Sequence, residues 1–368
     1  MTALPTPERI MELALTTTPS EASVATPSPA ARKKCDVLLL ISSAAAAGYE
    51  RRRRAVRRTY LTALREQQLQ GTVEYRFLLG EPPTAEEGAA LDAEQAEFGD
   101  LLRVCVPESY ETIFAKVVAA WRWAVATHDF AFWMHADDDS YVRLDLLLGW
   151  VRSPAASPQE GVYAGYLWDG SDGRRTKPLR DPAQKSYMPV EQWPHDSYPP
   201  FASGCGHLIA CDLVGKLVEL SPSMSFFRGG VFDVAIGTRP ARPARLFLHQ
   251  LHRPFRPAKP QRRRRMLSPR IVGIYLARLA ASGAVANLRL VHIEGVRPYR
   301  PLPLFRRETL VQHYMQPEEF RQFHERAVAA AAEADGGAGP GGGAAAPESE
   351  QRIAAVYDLF VQAKVLRR

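Results

Sequence analysis

The sequence predicts an α/β protein built on a mostly parallel sheet, and three observations carry that prediction. Short apolar runs such as "DVLLLIS" (36–42) and "FAFWM" (130–134) lack polar alternation, as strands buried on both faces do. Stretches with helical spacing stand between them. The composition, 46% hydrophobic and 24% charged over 368 residues, excludes a disordered chain and suffices for one large core or two modest ones. Alternating strands and helices give a sheet covered on both faces, with ligands bound beyond the carboxyl ends of its strands.

Residues 1–34 are rich in Thr, Pro, Ser and Ala and hold no apolar stretch of signal-peptide or membrane-span length, so a disordered segment without an anchor is expected. The run "VLLLISSAAAAG" (37–48) is too short to span a bilayer and reads as a buried strand entering a loop. "YERRRRAVRRTYLTALREQQ" (49–68) follows as an arginine-laden helix, and "VEYRFLLG" (73–80) as a second strand. In "SYETIFAKVVAAWRWAVAT" (109–127), Ile113, Val117 and Trp121 fall at i, i+4 and i+8 with Phe114 and Val118 alongside. That spacing predicts an amphipathic helix with Ser109 as N-cap. It leads into "FAFWM".

The main domain is expected over 35–327. Within it, residues 238–270 hold six prolines and ten arginines and read as an exposed basic insertion. The Ala/Gly-rich stretch 328–349 reads as a flexible linker, and 350–368 as a short amphipathic helix with Ile353, Val356, Tyr357 and Phe360 on one face. Packing back on the body and docking to a surface are the two readings of that helix.

The net charge of +7 comes mostly from arginine clusters at 51–54 and 262–265, which suit acidic partners such as phosphates, nucleotides or anionic lipid. No zinc-finger spacing or RNP-like aromatic motif supports nucleic acid as a partner. Four cysteines without a C-x-x-C pair exclude a disulfide scaffold, and the single asparagine, Asn287, is not in a glycosylation sequon.

The segment "FWMHADDDSYVR" (132–143) places three carboxylates directly after an apolar run. If the chain stays extended, Asp137 and Asp139 fall on one face, where hard oxygen ligands can share a Mg²⁺ or Mn²⁺ ion. The bland alternative is a solvated acidic turn. In "DSYPPFASGCGHLIACD" (196–212), Tyr198 and the two prolines after it either stiffen a loop or shape a pocket; Gly204 and Gly206 permit tight backbone turns there.

Seven blocks in order, "DVLLLISSAAAAGYERRRRAVRRTYL", "YRFLLG", "SYETIFAKVVAAWRW", "FWMHADDDSYV", "VYAGYL", "KSYMPVEQWPHDSYPPFASGCGHLIACD" and "VFDVAIG", resemble the β-1,3-galactosyltransferase family. That family includes related β-1,3-N-acetylglucosaminyltransferases. The likeness covers roughly 36–237, and "VQHYMQPEEF" (311–320) is similar to a later block. The resemblance implies a GT-A type, Rossmann-like domain that moves a hexose, galactose or N-acetylglucosamine, from a UDP-sugar to a glycan hydroxyl on protein or lipid. It implies β-1,3 linkage, inversion at the anomeric carbon and Mn²⁺ as cofactor.

By position, the resemblance makes Asp233 the catalytic base and Arg53, Arg57, Lys116, Asp137 and Asp138 donor-binding residues. Asp137, Asp139 and His313 become metal ligands, and Trp193, Tyr198, Phe201 and Gly204 line the acceptor pocket. Taken alone, Arg53 and Arg57 fit a solvated helix face, Lys116 a snorkelling surface lysine and Asp233 a helix N-cap. The chain departs from the family pattern at His135, Arg143 and Ala202, and Phe232 replaces one member of an acidic pair beside Asp233. An inactive relative that binds glycan or nucleotide sugar is therefore one rival reading, and a polyanion-binding protein another. The resemblance also implies a type II membrane protein of the Golgi, with an upstream segment expected to supply the anchor.

Overall fold

The computed structural model describes residues 4–17, 32–66, 69, 72–156, 159–169, 177–184, 187–224, 270–299 and 304–335. Its strands are β1 (Lys33–Ser42), β2 (Val73–Glu81), β3 (Leu101–Pro107), β4 (His128–Asp137), β5 (Tyr141–Val142), β6 (Val162–Trp168), β7 (Phe201–Ala210), β8 (Arg289–His292), β9 (Val296–Arg297) and β10 (Val311–Gln312). The helices are α1 (Pro7–Thr16), α2 (Ala47–Arg57), α3 (Ala63–Glu66), α4 (Ala85–Phe98), α5 (Ile113–Thr127), α6 (Leu144–Val151), α7 (Cys211–Leu220), α8 (Arg270–Ala281) and α9 (Pro317–Asp335).

Seven strands form the central sheet in the order β3-β2-β1-β4-β7-β6-β8. Only β7 runs against its neighbours; every other pairing, β3/β2, β2/β1, β1/β4 and β6/β8, is parallel. This is the mostly parallel, Rossmann-like α/β sheet of a GT-A type fold, as the sequence led one to expect. The run Val37–Leu38–Leu39–Leu40–Ile41 is fully buried because alternate side chains serve two cores. Leu38 and Leu40 join the side chains of α1, α5, α7 and α8, while Val37, Leu39 and Ile41 join those of α2, α4, α6 and α9. From β1 the chain winds outward through β2 and β3, and α5 then carries it back to β4 on the other flank of β1. That reversal makes the carboxyl ends of β1 and β4 the topological switch point.

Five expectations need correction. Residues 7–16 are not disordered: Thr6 caps α1, Pro7 opens it, and Ile10 and Ala14 are fully buried against the α5 layer. The arginine-laden helix does not run from 49 to 68; it ends at Arg57, and Thr59 leaves the helical region as Tyr60 and Leu61 turn into the core. α5 is less amphipathic than its spacing suggests, since every side chain from Phe114 to Ala120 is buried. The stretch from Phe201, including Gly204, is not a loop but the fully buried central strand β7. At the other end α9 continues to Asp335, beyond the predicted linker start at 328. The basic stretch 238–269, the rest of the linker and the helix predicted at 350–368 lie outside the described residues.

Candidate active site

β4 delivers the three aspartates to the switch point. The strand ends at Asp137, in register with Ser42 of β1, and a turn follows in which the Ser140 N–H donates to the Asp137 carbonyl at 2.9 Å. The expected shared face of Asp137 and Asp139 therefore comes from a turn rather than from continued extension. The Asp138 N–H donates to the Ser42 carbonyl at 3.1 Å, tying the turn to the end of β1.

His313 arrives from far along the chain. Directly after the aspartates, β5 pairs antiparallel with β10, Gln312 opposite Tyr141 and Val311 opposite Val142. The Met315 N–H then donates to the Asp139 carbonyl at 2.9 Å. Between these two anchors Tyr314 is held at φ 60°, a left-handed conformation that costs a non-glycine residue about 1–3 kcal/mol. Gly206 of β7 leaves room for this arrangement, since a Cβ there would sit 2.8 Å from the Val311 side chain.

The outcome is a cluster in which one ligand atom each from Asp137, Asp139 and His313 lies within 4.8 Å of the others. His313 Nε2 is 3.2 Å from Asp139 Oδ1 and 3.5 Å from Asp137 Oδ2. Burial alone would depress the His313 imidazole, but the hydrogen bond and charge of Asp139, with the charge of Asp137, raise it. For Asp139, burial pushes the carboxyl up and His313 outweighs it, so the net direction is down. Two carboxylates and one imidazole are a donor set that suits a divalent cation and leaves further positions for a ligand's oxygens.

Asp138 stands apart from that cluster. It is buried, accepting a hydrogen bond from Ser43 Oγ at 2.6 Å and one from Arg52 Nη1 at 3.0 Å. Burial first, then the neighbouring Asp139 charge, lift its carboxyl to about 7 against the opposing pull of Arg52 and Ser43. Its oxygens serve the frame of the site rather than facing a donor.

Arg52, which the sequence reading did not single out, is the cation that faces the aspartates. Its guanidinium also lies 3.6 Å from Asp139, remains partly exposed and sits 5.1 Å from the centre of the Tyr49 ring. Arg53 and Arg57 are instead buried in ion pairs. Arg53 forks onto Glu94 at 2.8 and 2.6 Å and turns Nη1 to Ser43 Oγ and the Ala44 carbonyl; Arg57 forks onto Asp100 at 2.8 and 2.7 Å and reaches Glu94 at 2.7 Å. Lys116, also buried, donates to Glu108 at 2.6 Å and to the Ser43 carbonyl at 3.3 Å, and Glu108 in turn accepts from the Gly80 N–H. Arg53 and Lys116 brace the loop after β1, while Arg57 ties α2 to Glu94 of α4 and to Asp100 just before β3. All three line the site from behind, neither on a solvated face nor open to a donor.

The predicted sugar-pocket aromatics are core residues. Trp193, Tyr198 and Phe201 are 0, 1 and 0% exposed, and Trp193 stacks on Tyr198 with ring centres 5.7 Å apart while its Nε1 donates to the Ser197 carbonyl. No face of these rings is open, so the stiffening role is the one they fill. Gly204 is buried in β7. His135 and His207 stack beneath the site at 5.3 Å, with His135 Nε2 3.6 Å from Asp137 Oδ1. Asp233 lies outside the described residues. The four cysteines are free.

Known proteins add the last observation. The family model described as Galactosyltransferase matches residues 51–241, just over half of the chain. The chain is 34% identical over 200 residues to beta-1,3-galactosyltransferase 6 of Mus musculus, covering 54% of this chain and 59% of that protein. It is 28% identical over 146 residues to beta-1,3-galactosyltransferase 1 of Homo sapiens, covering 39% and 43%. With hydroxyproline O-galactosyltransferase GALT2 of Arabidopsis thaliana it shares 27% identity over 183 residues, covering 50% and 25%. The matches thus span less than two thirds of these curated relatives. The matched region runs from α2 through the aspartate turn and β7, and on that ground the chain belongs to the galactosyltransferase family.

Proposed function

We propose that the chain transfers galactose from a UDP-sugar to a hydroxyl of a glycan carried on protein or lipid, forming a β-1,3 linkage with inversion and using Mn²⁺. The observation that carries this reading is the Asp137–Asp139–His313 cluster at the switch point. The names of the relatives favour galactose over N-acetylglucosamine and the β-1,3 linkage. Asp137, Asp139 and His313 would hold a divalent ion, which would supply positive charge to offset the negative charge developing on a diphosphate leaving group. Arg52, partly exposed beside Asp139, is placed to add a cationic hydrogen-bond donor to the same oxygens. Ser43, Arg53 and Lys116 keep the loop after β1 in place, so the aspartate turn needs little reorganisation when donor binds.

Asp233 is carried as the base that takes the proton from the acceptor hydroxyl, through the resemblance of "VFDVAIG". Golgi residence and membrane association through an upstream anchor belong to the same proposal; no described helix is long and apolar enough to cross a membrane. The test is release of UDP from UDP-galactose with and without Mn²⁺, beside UDP-N-acetylglucosamine and a panel of acceptors. Mn²⁺-dependent transfer that falls by about 10²–10⁴ in Asp233→Asn, with donor affinity kept, is expected. No binding of any UDP-sugar in the presence of Mn²⁺ would refute the reading.

A further inference from the structure

A groove of about 560 Å³ lies between α2 and the start of α9, lined by Arg51, Arg54, Ala55, Arg58, Thr59, Pro317, Glu318 and Arg321. Four of these residues are arginines and one is acidic. Arg51, Arg54 and Arg58 occupy i, i+3 and i+7, so they form a single stripe on the face of α2 opposite the buried Arg53, Val56 and Arg57. Arg54 is tied to Glu50 at 2.7 Å and to Glu97 at 3.2 Å. Arg51 and Arg58 are exposed and have no ion-pair partner among the described residues. Two uncompensated guanidiniums about 10 Å apart along one helix, at 1.5 Å of rise per residue, face a concave surface.

We propose that this groove docks an extended acidic peptide segment of a partner protein, with aspartates or glutamates at alternate positions. Alternate side chains of an extended chain are about 6.6–6.8 Å apart, so a segment with carboxylates at i, i+2 and i+4 spans the stripe. Each guanidinium presents a planar fork to a carboxylate. Concavity favours a strand over the flat surface of a lipid bilayer. No aromatic ring lines the groove, which favours a peptide over a carbohydrate that would stack on one. The surface is separate from the metal cluster, and docking there requires no transfer chemistry.

The experiment uses the full chain and a fluorescein-labelled ten-residue peptide of alternating glutamate and serine, with the glutamine version as control. Fluorescence anisotropy is expected to show glutamate-specific binding that weakens with salt. Binding should fall at least ten-fold in R51E/R58E and less than two-fold in R326E, which changes charge elsewhere on α9. The melting temperature and UDP-sugar turnover of R51E/R58E should match wild type. Equal peptide affinity in R51E/R58E and wild type, or absence of glutamate-specific binding, overturns the proposal. So does R51E/R58E-sensitive binding of phosphatidylserine vesicles or of a sulfated oligosaccharide in place of the peptide.

Discussion

Two charged clusters sit within a few residues of each other and are built on opposite plans. Behind α2, Arg53 and Arg57 meet Glu94 and Asp100, two cations against two carboxylates, each guanidinium forked onto an acid. At the switch point three aspartates meet Arg52 and His313, and only Arg52 carries a fixed positive charge. A buried ion pair is tolerated when its charges balance and its hydrogen bonds are made. An excess of buried negative charge is tolerated when something from outside supplies the cation. The first cluster is a scaffold, and the second carries the charge imbalance that the proposed divalent ion would offset.

The comparison is tested first where its effect is largest. Arg53→Met should destabilise the protein by about 3–5 kcal/mol in urea denaturation, because it leaves buried Glu94 and Asp100 to share Arg57 alone and releases Ser43. A variant of wild-type stability with a raised KM for donor would instead return Arg53 to the donor site. Next in size, Asp137→Ala with Asp139→Ala should lower Mn²⁺-supported turnover by about 10²–10³ while stability changes by no more than about 1 kcal/mol. Calorimetric titration of Mn²⁺ would show the loss directly. Retained Mn²⁺ binding in that double variant would reduce the aspartates to a polar turn.

How much of this was legible in the sequence follows from where each signal lies. β1 and β4 are continuous apolar runs, and their strand character needs no tertiary knowledge. Asp137 and Asp139 are conspicuous because they end such a run. His313 has no local mark: a two-strand sheet and one hydrogen bond to Asp139 bring it in, and only block resemblance reached it. Among four consecutive arginines, which one faces the aspartates depends on the phase of α2. That phase is set by Glu94 and Asp100, ordinary acids with no motif around them. Once they are known to draw Arg53 and Arg57 inward, Arg52 is the residue turned toward the turn. α1 was hidden by its Thr- and Pro-rich surroundings, although Thr6, Pro7 and the Ile10–Ala14 pair form a capped apolar face.

Arg52 sharpens the comparison at intermediate scale. Arg52→Gln should raise the donor KM by about ten-fold, the order of a lost charged hydrogen bond, with a small change in urea midpoint because the guanidinium is partly exposed. Its lysine variant should recover part of the loss, since charge remains but the planar fork does not. A large fall in stability with no change in KM would move Arg52 into the scaffold beside Arg53.

The most gradual effect is on pH dependence, where a single group contributes a slope of at most about 1.4 kcal/mol per pH unit, and where the two clusters should differ in sign. Burial would raise Glu94, but the hydrogen bonds and charges of Arg53 and Arg57 outweigh it and hold the carboxyl low. Its contribution is therefore present above the ordinary glutamate value of about 4.3 and is lost as pH falls further. Asp138 is the reverse case, lifted to about 7 by burial and by the Asp139 charge. The folded protein holds that proton more tightly than the unfolded chain, whose aspartates titrate near about 3.9, so stability should decline as pH rises from there through about 7 and then level off. Urea midpoints of the metal-free protein between pH 4 and 8 should show this decline, and Asp138→Asn should flatten it. Mn²⁺ should flatten it as well, because a cation beside the turn favours the carboxylate form. A metal-free profile with no decline, or one that Asp138→Asn leaves unaltered, would mean that Arg52 already balances the turn and that the two clusters do not differ in kind.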